Sequence, residues 1–308
     1  VLRNKEYRAA VQSVAGEEMY RAMVDWLVDV AEVRKPSQVG EGLARWARSN
    51  VSVMSMGWKA TTALAQPMGI AQSIDRLGAT YVMQGVKEAY GGGIKGFKEK
   101  AAWVRSVSSF MDTRMETFDR DMNDALEDFN NVQLTPGTLL DAITPRKLKE
   151  FERWMKKTAF KPTAYMQFGV DLPTWLGAYD KGMKDYDGNH DKAKDYADHI
   201  VRITQGSGEA IDLAKIQRGN EYLKMFTMFY SYFNTLYGLI ALRANDVNMN
   251  MDQASAMRAA TSFLLLVALP ATFTEIMAGR GPHDDEKWWV WAAKEITMYP
   301  AMSVVGLR

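Results

Sequence analysis

Residue types able to do acid–base, nucleophilic or metal chemistry are sparse in this sequence and poorly spaced for it. There are three histidines, His190, His199 and His283, and no cysteine. A helical zinc site needs paired ligands at a fixed spacing such as H-E-x-x-H, and no such spacing links these three. Without cysteine there is neither a thiol nucleophile nor a disulfide. Asp185-x-Asp187-x-Asn189-x-Asp191 begins like a calcium loop. Such a loop needs glycine at its sixth position and a bidentate glutamate at its twelfth. His190 and Tyr196 stand there instead, so the stretch reads as a solvated turn between helices.

Glu116, Asp119, Asp124 and Glu127 offer carboxylates of the kind glycoside hydrolysis uses in pairs. Within an acidic run spaced largely at three and four residues they read as part of one solvated helix face, and nothing nearby implies a cleft that would raise one pKa. Gly91-Gly92-Gly93 has neither the preceding strand nor the following motif of a phosphate cradle, so it reads as a hinge or loop. No Gly-x-Ser-x-Gly elbow is present. The expectation is a chain that is not an enzyme, with no catalytic residue, no metal site and no cofactor.

The elements that carry these residues read as helices throughout. Apolar residues recur at three- and four-residue steps, and strand-like alternation is almost absent. The expected helices cover 4–34, 38–50, about 70–90, 95–131, a basic one opened by Thr144-Pro145, 163–186 with an interruption at Asp171-Leu172-Pro173, and 191–204. Two more follow near 210–245 and 252–278, and a short last one begins at Trp288. The acidic second half of 95–131 and the basic helix after Pro145 are suited to lie against each other or against partner chains. The fold class is all-α, a multi-helix bundle of long helices with a C-terminal apolar hairpin. The expected regions are 1–93, a central charged region 94–204, and an aromatic hairpin with a Trp-rich tail over 205–308.

Composition narrows the function further. Lys plus Arg is 38 and Asp plus Glu is 37, a formal charge of +1, which argues against a dedicated nucleic-acid binder. The 20 methionines and 9 tryptophans suit a large helical core, and they equally suit surfaces that repack or meet an interface. The chain opens at Val1 with no secretory pattern, and the expectation is a segment of a longer polypeptide.

Two apolar runs stand out near the C-terminus. Residues 225–242 are uncharged, between Lys224 and Arg243, and reach the lower edge of bilayer-spanning length. Thr227, Ser231, Thr235 and Gly238 share one face of this run, a small-residue stripe that lets another helix approach, while Phe226, Phe229 and Phe233 cover much of the rest. The second run, 259–274, counts as too short to span and carries Pro270, which should kink it. A loop near Asp246 to Asp252 would join the two as antiparallel neighbours. Trp288, Trp289 and Trp291 would suit an interfacial belt. A buried hairpin in a soluble bundle would use the same residues.

Tyr196-Ala-Asp198-His199-Ile-Val-Arg202-Ile-Thr204-Gln205-Gly206-Ser207-Gly208, continuing through Asp212-Leu213-Ala214, Gln217-Arg218-Gly219 and Phe226 to Tyr237, is distinctive. It resembles a signature near the C-termini of large polyvalent proteins and of the internal virion (ejection) proteins of short-tailed bacteriophages. Met56-Gly57-Trp58, Gln66-Pro67-Met68-Gly69 and Trp175-Leu176-Gly177-Ala178-Tyr179 are similar to the same pattern. The resemblance implies a helical assembly segment packaged in the virion interior and delivered into the host cell envelope, at the periplasm or inner membrane. There it would help build a genome-delivery conduit. The implied partners are further copies of itself, other ejection proteins, a host membrane and, transiently, phage DNA. The alternative is a soluble helical scaffold domain of a delivered polyvalent protein that binds partner proteins or DNA. Within the signature, Gln205, Gly206 and Gly208 read as an assembly hinge flanked by Arg202 and Arg218, and a plain interhelical loop would read the same way.

Overall fold

The computed structural model describes residues 5–31, 41–57, 60–117, 158–207, 230–250, 252–277, 279–283 and 285–299. Between 208 and 229 it describes Asp212, Leu213, Gln217, Tyr222, Lys224 and Thr227. Among the described residues every regular element is a helix, so the all-α multi-helix expectation holds. The order is α1 (Lys5–Ala31), α2 (Glu41–Met56), α3 (Ala60–Ala65), a 3₁₀ turn at Gln66–Met68, α4 (Gly69–Leu77), α5 (Ala79–Tyr90), α6 (Gly93–Val107) and α7 (Ser109–Thr117). After the next described stretch begins come α8 (Lys161–Asp185), α9 (His190–Thr204), α10 (Tyr230–Asn250), α11 (Gln253–Phe263), α12 (Leu269–Met277) and α13 (Trp288–Met298). The basic helix expected after Pro145 lies outside the described residues.

Several expected long helices are divided. Gly16 sits at φ 84°, ψ 164° and folds α1 back on itself. Tyr7 Oη consequently lies 4.0 Å from Met23 Sδ. A straight helix would hold those two residues about 24 Å apart along its axis. Gly78, at φ 91°, splits the expected 70–90 helix into α4 and α5. Both conformations are cheap only for glycine. Ser108 breaks 95–131 with extended backbone, and its hydroxyl accepts from Met111 N at 3.0 Å to cap α7.

Pro173 shows the opposite case. The sequence predicts an interruption at 171–173, yet α8 runs unbroken from Lys161 to Asp185. Proline removes the donor for the carbonyl four residues back, and that acceptor, Gly169, is served from α5 by the hydroxyl of Tyr90.

α8 is the central helix. It crosses α5 so closely that only glycine fits at the contact. A Cβ on Gly85 would stand 2.0 Å from the Pro173 carbonyl, and one on Gly177 would stand 2.2 Å from the Tyr81 carbonyl. Gly182 plays the same part against Ala193 of α9, at 2.8 Å from its Cα. Around these crossings Leu172, Trp175, Leu176, Val82, Val104, Met111, Ile200 and Val201 form one apolar core, which draws on both sides of the 93/94 boundary. Trp175 stacks on Tyr179 at 5.0 Å between centroids, and Trp103 packs edge-on to both.

A second core joins Leu236 and Leu239 of α10 to Leu266, Val267, Ala271 and Tyr299. α10 and α11 form a helical hairpin whose joint is shorter than expected, because α10 continues to Asn250. Asp252 Oδ1 caps α11 by accepting from Ser255 N at 2.7 Å, and Arg258 reaches back to Asp246 at 3.1 Å. Pro270 does not end the second arm. A π turn at Leu264–Ala268 precedes it, with Leu269 N donating to the Leu264 carbonyl, and the helix continues into α12. The run judged too short to span is therefore part of a helix of 24 residues, Gln253–Ile276.

Candidate functional site

Three features beyond ordinary packing lie on this scaffold: a buried polar seam, a cleft, and an exposed apolar face.

The seam runs where α4, α7, α8 and the end of α9 meet. Arg114 Nε donates to Asp171 Oδ2 at 2.7 Å, and both side chains are 0 % exposed. Gln167 Nε2 donates to Asp171 Oδ1 at 2.8 Å and to Gln205 Oε1 at 3.0 Å. Gln205 Nε2 donates to the Gly69 carbonyl at 2.9 Å and to Ser73 Oγ at 2.8 Å. Ser73 Oγ lies 2.7 Å from Thr174 Oγ1, which donates to the Val170 carbonyl at 2.8 Å. One direction of donation satisfies the run from Gln205 through Ser73 and Thr174 to that carbonyl, because each hydroxyl accepts once and donates once. A Cβ on Gly69 would stand 2.4 Å from Gln205 Oε1, so the close approach needs glycine there. Burial pushes the Asp171 carboxyl up, opposed by the Arg114 charge and by hydrogen bonds from Arg114 and Gln167.

Beside the seam, Asp198 ties three helices. Its Oδ1 accepts from Ser108 Oγ and from Trp175 Nε1, each at 2.7 Å. On the far side of α8, Gln84 Nε2 donates to Asp180 Oδ2 at 2.9 Å. Burial first, and then the Glu88 charge, raise the Asp180 carboxyl, against Lys100 and Gln84.

The cleft lies between α9 and α10, with a volume of about 540 Å³. Arg202, Ile203, Ser207 and Gln217 line one side, and Thr235, Gly238, Leu239 and Leu242 the other. Arg202 of the assembly hinge and Thr235 and Gly238 of the small-residue stripe, singled out separately in the sequence, therefore share this cleft. Arg202 pairs with Asp212 at 2.7 Å and holds its guanidinium 4.2 Å from the centroid of Phe110. Gln205 is 2 % exposed and anchored in the seam, so it is a fixed joint rather than a free one. Gly206 is half-buried. Gly208 and Arg218 lie outside the described residues, as do the side chains of Phe226, Phe229, Ser231 and Phe233. Thr227 is buried and Thr235 half-buried, but Gly238 is exposed, and a Cβ there would meet nothing within 4 Å. The Gly238 end of the stripe thus faces open space instead of a closely packed helix.

The apolar face belongs to the second arm. Gln253–Ile276 is, among the described residues, the one helix long and apolar enough to cross a bilayer, and 33 % of its most apolar stretch is buried. Leu266, Val267 and Ala271 point into the core, while Met257, Phe263, Leu264, Leu269 and Ile276 are exposed. Trp288 and Trp289 are 71 % and 57 % exposed, and Trp291 is buried.

The histidines serve or sit on helices without converging. His190 Nδ1 lies 2.5 Å from Tyr179 Oη, His199 is exposed beside the cleft, and His283 is exposed. In the calcium-like stretch, Asn189 Oδ1 caps α9 by accepting from Lys192 N at 3.0 Å, and Asp185 pairs with Lys181. Among the described residues no group of three or more His, Asp or Glu is placed to hold a metal ion. Arg114, Ser73 and Gln167 stand out in no sequence pattern, and Asp198 lies within the Tyr196–Gly208 motif with nothing there to mark its role. Helical periodicity marks which positions face inward only when they are apolar, so a buried polar set leaves no such signal.

The chain matches no family model, no curated protein and no solved structure.

Proposed function

We propose that this chain is a structural and assembly segment of an internal virion (ejection) protein of a short-tailed bacteriophage. In this reading it rests in the virion interior and later helps to form the genome-delivery conduit through the host cell envelope. The observation that carries the membrane part is the exposed apolar face along Gln253–Ile276, with Trp288 and Trp289 exposed nearby. A core helix of a soluble protein buries most of such a stretch, whereas this one leaves most of it outward. Exposed apolar patches rimmed by amphipathic Trp suit a lipid or protein interface. The resemblance of residues 196–237 to the ejection-protein signature supplies the biological setting. Copies of the same chain and other ejection proteins are the proposed partners, with phage DNA in transient contact. No catalytic step is assigned to this segment.

The test is liposome flotation with dye leakage on the purified chain, compared with Leu264→Ser/Ile276→Ser and with Gly238→Leu. Flotation and leakage that the double serine variant abolishes, and that Gly238→Leu leaves intact, support the outward face as the membrane element. A chain that stays in solution as a cooperatively unfolding monomer supports the second reading, a soluble helical scaffold domain of a delivered polyvalent protein that binds partner proteins or DNA. The well-buried core around α8 and its polar seam favour that second reading.

A further inference from the structure

α7 is held to the core by an ion pair that is poorly made. Arg114 offers five N–H donors in a rigid fork, and buried arginines normally use that fork against both oxygens of a carboxylate. Here only Nε reaches Asp171, at 2.7 Å. Nη1 and Nη2 are fully buried and meet no acceptor from the described residues, and the guanidinium lies 5.5 Å from the ring centroid of Phe110 on its own helix. The second Asp171 oxygen is taken by Gln167 from within α8. A buried pair whose remaining donors go unmet returns less than its desolvation costs, and apolar residues of the same shape would hold the two helices together better.

Two neighbouring features make release of α7 local. Ser108, with extended backbone at φ −117° and ψ 111°, is a single-residue joint between α6 and α7. The groups beside Arg114 on α8, Asp171 and Gln167, are polar and can be served by water, so this part of the contact carries little apolar penalty on opening. Against release stand Phe110 and Met111, which α7 contributes to the core, and the Ser108–Asp198 hydrogen bond.

We infer that α7 is a clasp that opens as a unit ahead of global unfolding, with Ser108 as its hinge and the Arg114–Asp171 pair as a latch weak enough to release. This is a property of the α4–α9 core and does not depend on the conduit reading.

Native-state hydrogen exchange on the full chain tests it. In the wild type, amides of Met111–Thr117 should exchange at least about tenfold faster than those of Leu172–Ala178, through an opening with little denaturant dependence, as sub-global openings do. Arg114→Met/Asp171→Leu should raise α7 protection about tenfold or more, while Arg114→Met alone, which strands the carboxylate, should lower it. Two results overturn the inference. One is α7 exchanging only with global unfolding, at the rate of α8, in the wild type. The other is a folded double variant in which α7 protection falls. If the double variant does not fold, the wild-type comparison decides alone.

Discussion

The hydroxyl of Tyr90, on α5, donates to the main-chain carbonyl of Gly169, on α8, at 2.6 Å. That carbonyl is the acceptor Pro173 cannot serve, so a side chain from a neighbouring helix stands in for a missing backbone amide. The bond also fixes the register of α5 on α8 at the end of the crossing that Gly85 and Gly177 define.

Tyr90→Phe should therefore destabilise the fold by roughly 0.5–1.5 kcal/mol, the net worth of one such bond. In a Pro173→Ala background a backbone N–H returns to Gly169, and the same substitution should cost measurably less. Urea unfolding of the four proteins gives the coupling directly. Equal costs in both backgrounds would mean the phenol is not replacing the helical donor.

Alkaline stability should follow three partly buried phenols. Burial is the first cause raising Tyr90, Tyr179 and Tyr196 above their ordinary value of 10.0. The native state thus holds these protons more tightly than the unfolded chain. Their contribution is fully present below about pH 10 and is lost as pH rises through the native values. Denaturation midpoints on either side of that boundary should show the loss, and Tyr90→Phe/Tyr196→Phe should flatten it.

Gly85→Ala and Gly177→Ala should be among the most damaging single changes, since each new methyl meets backbone on the partner helix. Overpacking commonly costs about 1–3 kcal/mol, and backbone that cannot yield puts these two at or above that range. Gly96→Ala in α6 is the matched control, because its Cβ meets nothing within 4 Å. It should be neutral or stabilising by up to about 1 kcal/mol. Thermal midpoints of the three variants separate the cases.

Asp198→Ala removes the acceptor shared by Ser108 Oγ and Trp175 Nε1. The expected loss is roughly 1–3 kcal/mol for each donor left unmet. Asp198→Asn keeps one acceptor oxygen and should retain most of the stability. A shift of tryptophan emission on truncation, absent in the Asn variant and lost in a Trp175→Phe background, would report the loss of the indole bond.

Much of the helical order was legible from periodicity, because long amphipathic stretches such as 191–204 have an apolar face that only one structure buries. Boundaries were less so. Gly16 and Gly78 look like tolerated helical glycines until their backbone angles are known, and Pro173 looks like a helix breaker until Tyr90 is placed beside it. The last of these depends on a partner 79 residues away in the chain, as Tyr90 is from Gly169. The candidate site was legible in part. The stretch around Arg202 and Gln205 stands out by its resemblance to a family signature, and the structure gives both residues named neighbours. The Arg114–Asp171 pair had no counterpart in any local pattern, since fifty-seven residues separate its members.

The wide turn at Leu264–Ala268 amounts to one residue inserted into an otherwise regular spiral. It resets the phase of everything after it, so that Ala271 and Glu275 turn inward while Leu269 and Ile276 turn outward. Removing a single residue there would let the ordinary winding resume and would swing the downstream segment by about 100°. Ala271 would leave the Leu236–Leu239 surface, and a different side of the helix would meet the outside. In this segment the residue count, more than the identity of any one residue, decides which face the molecule shows.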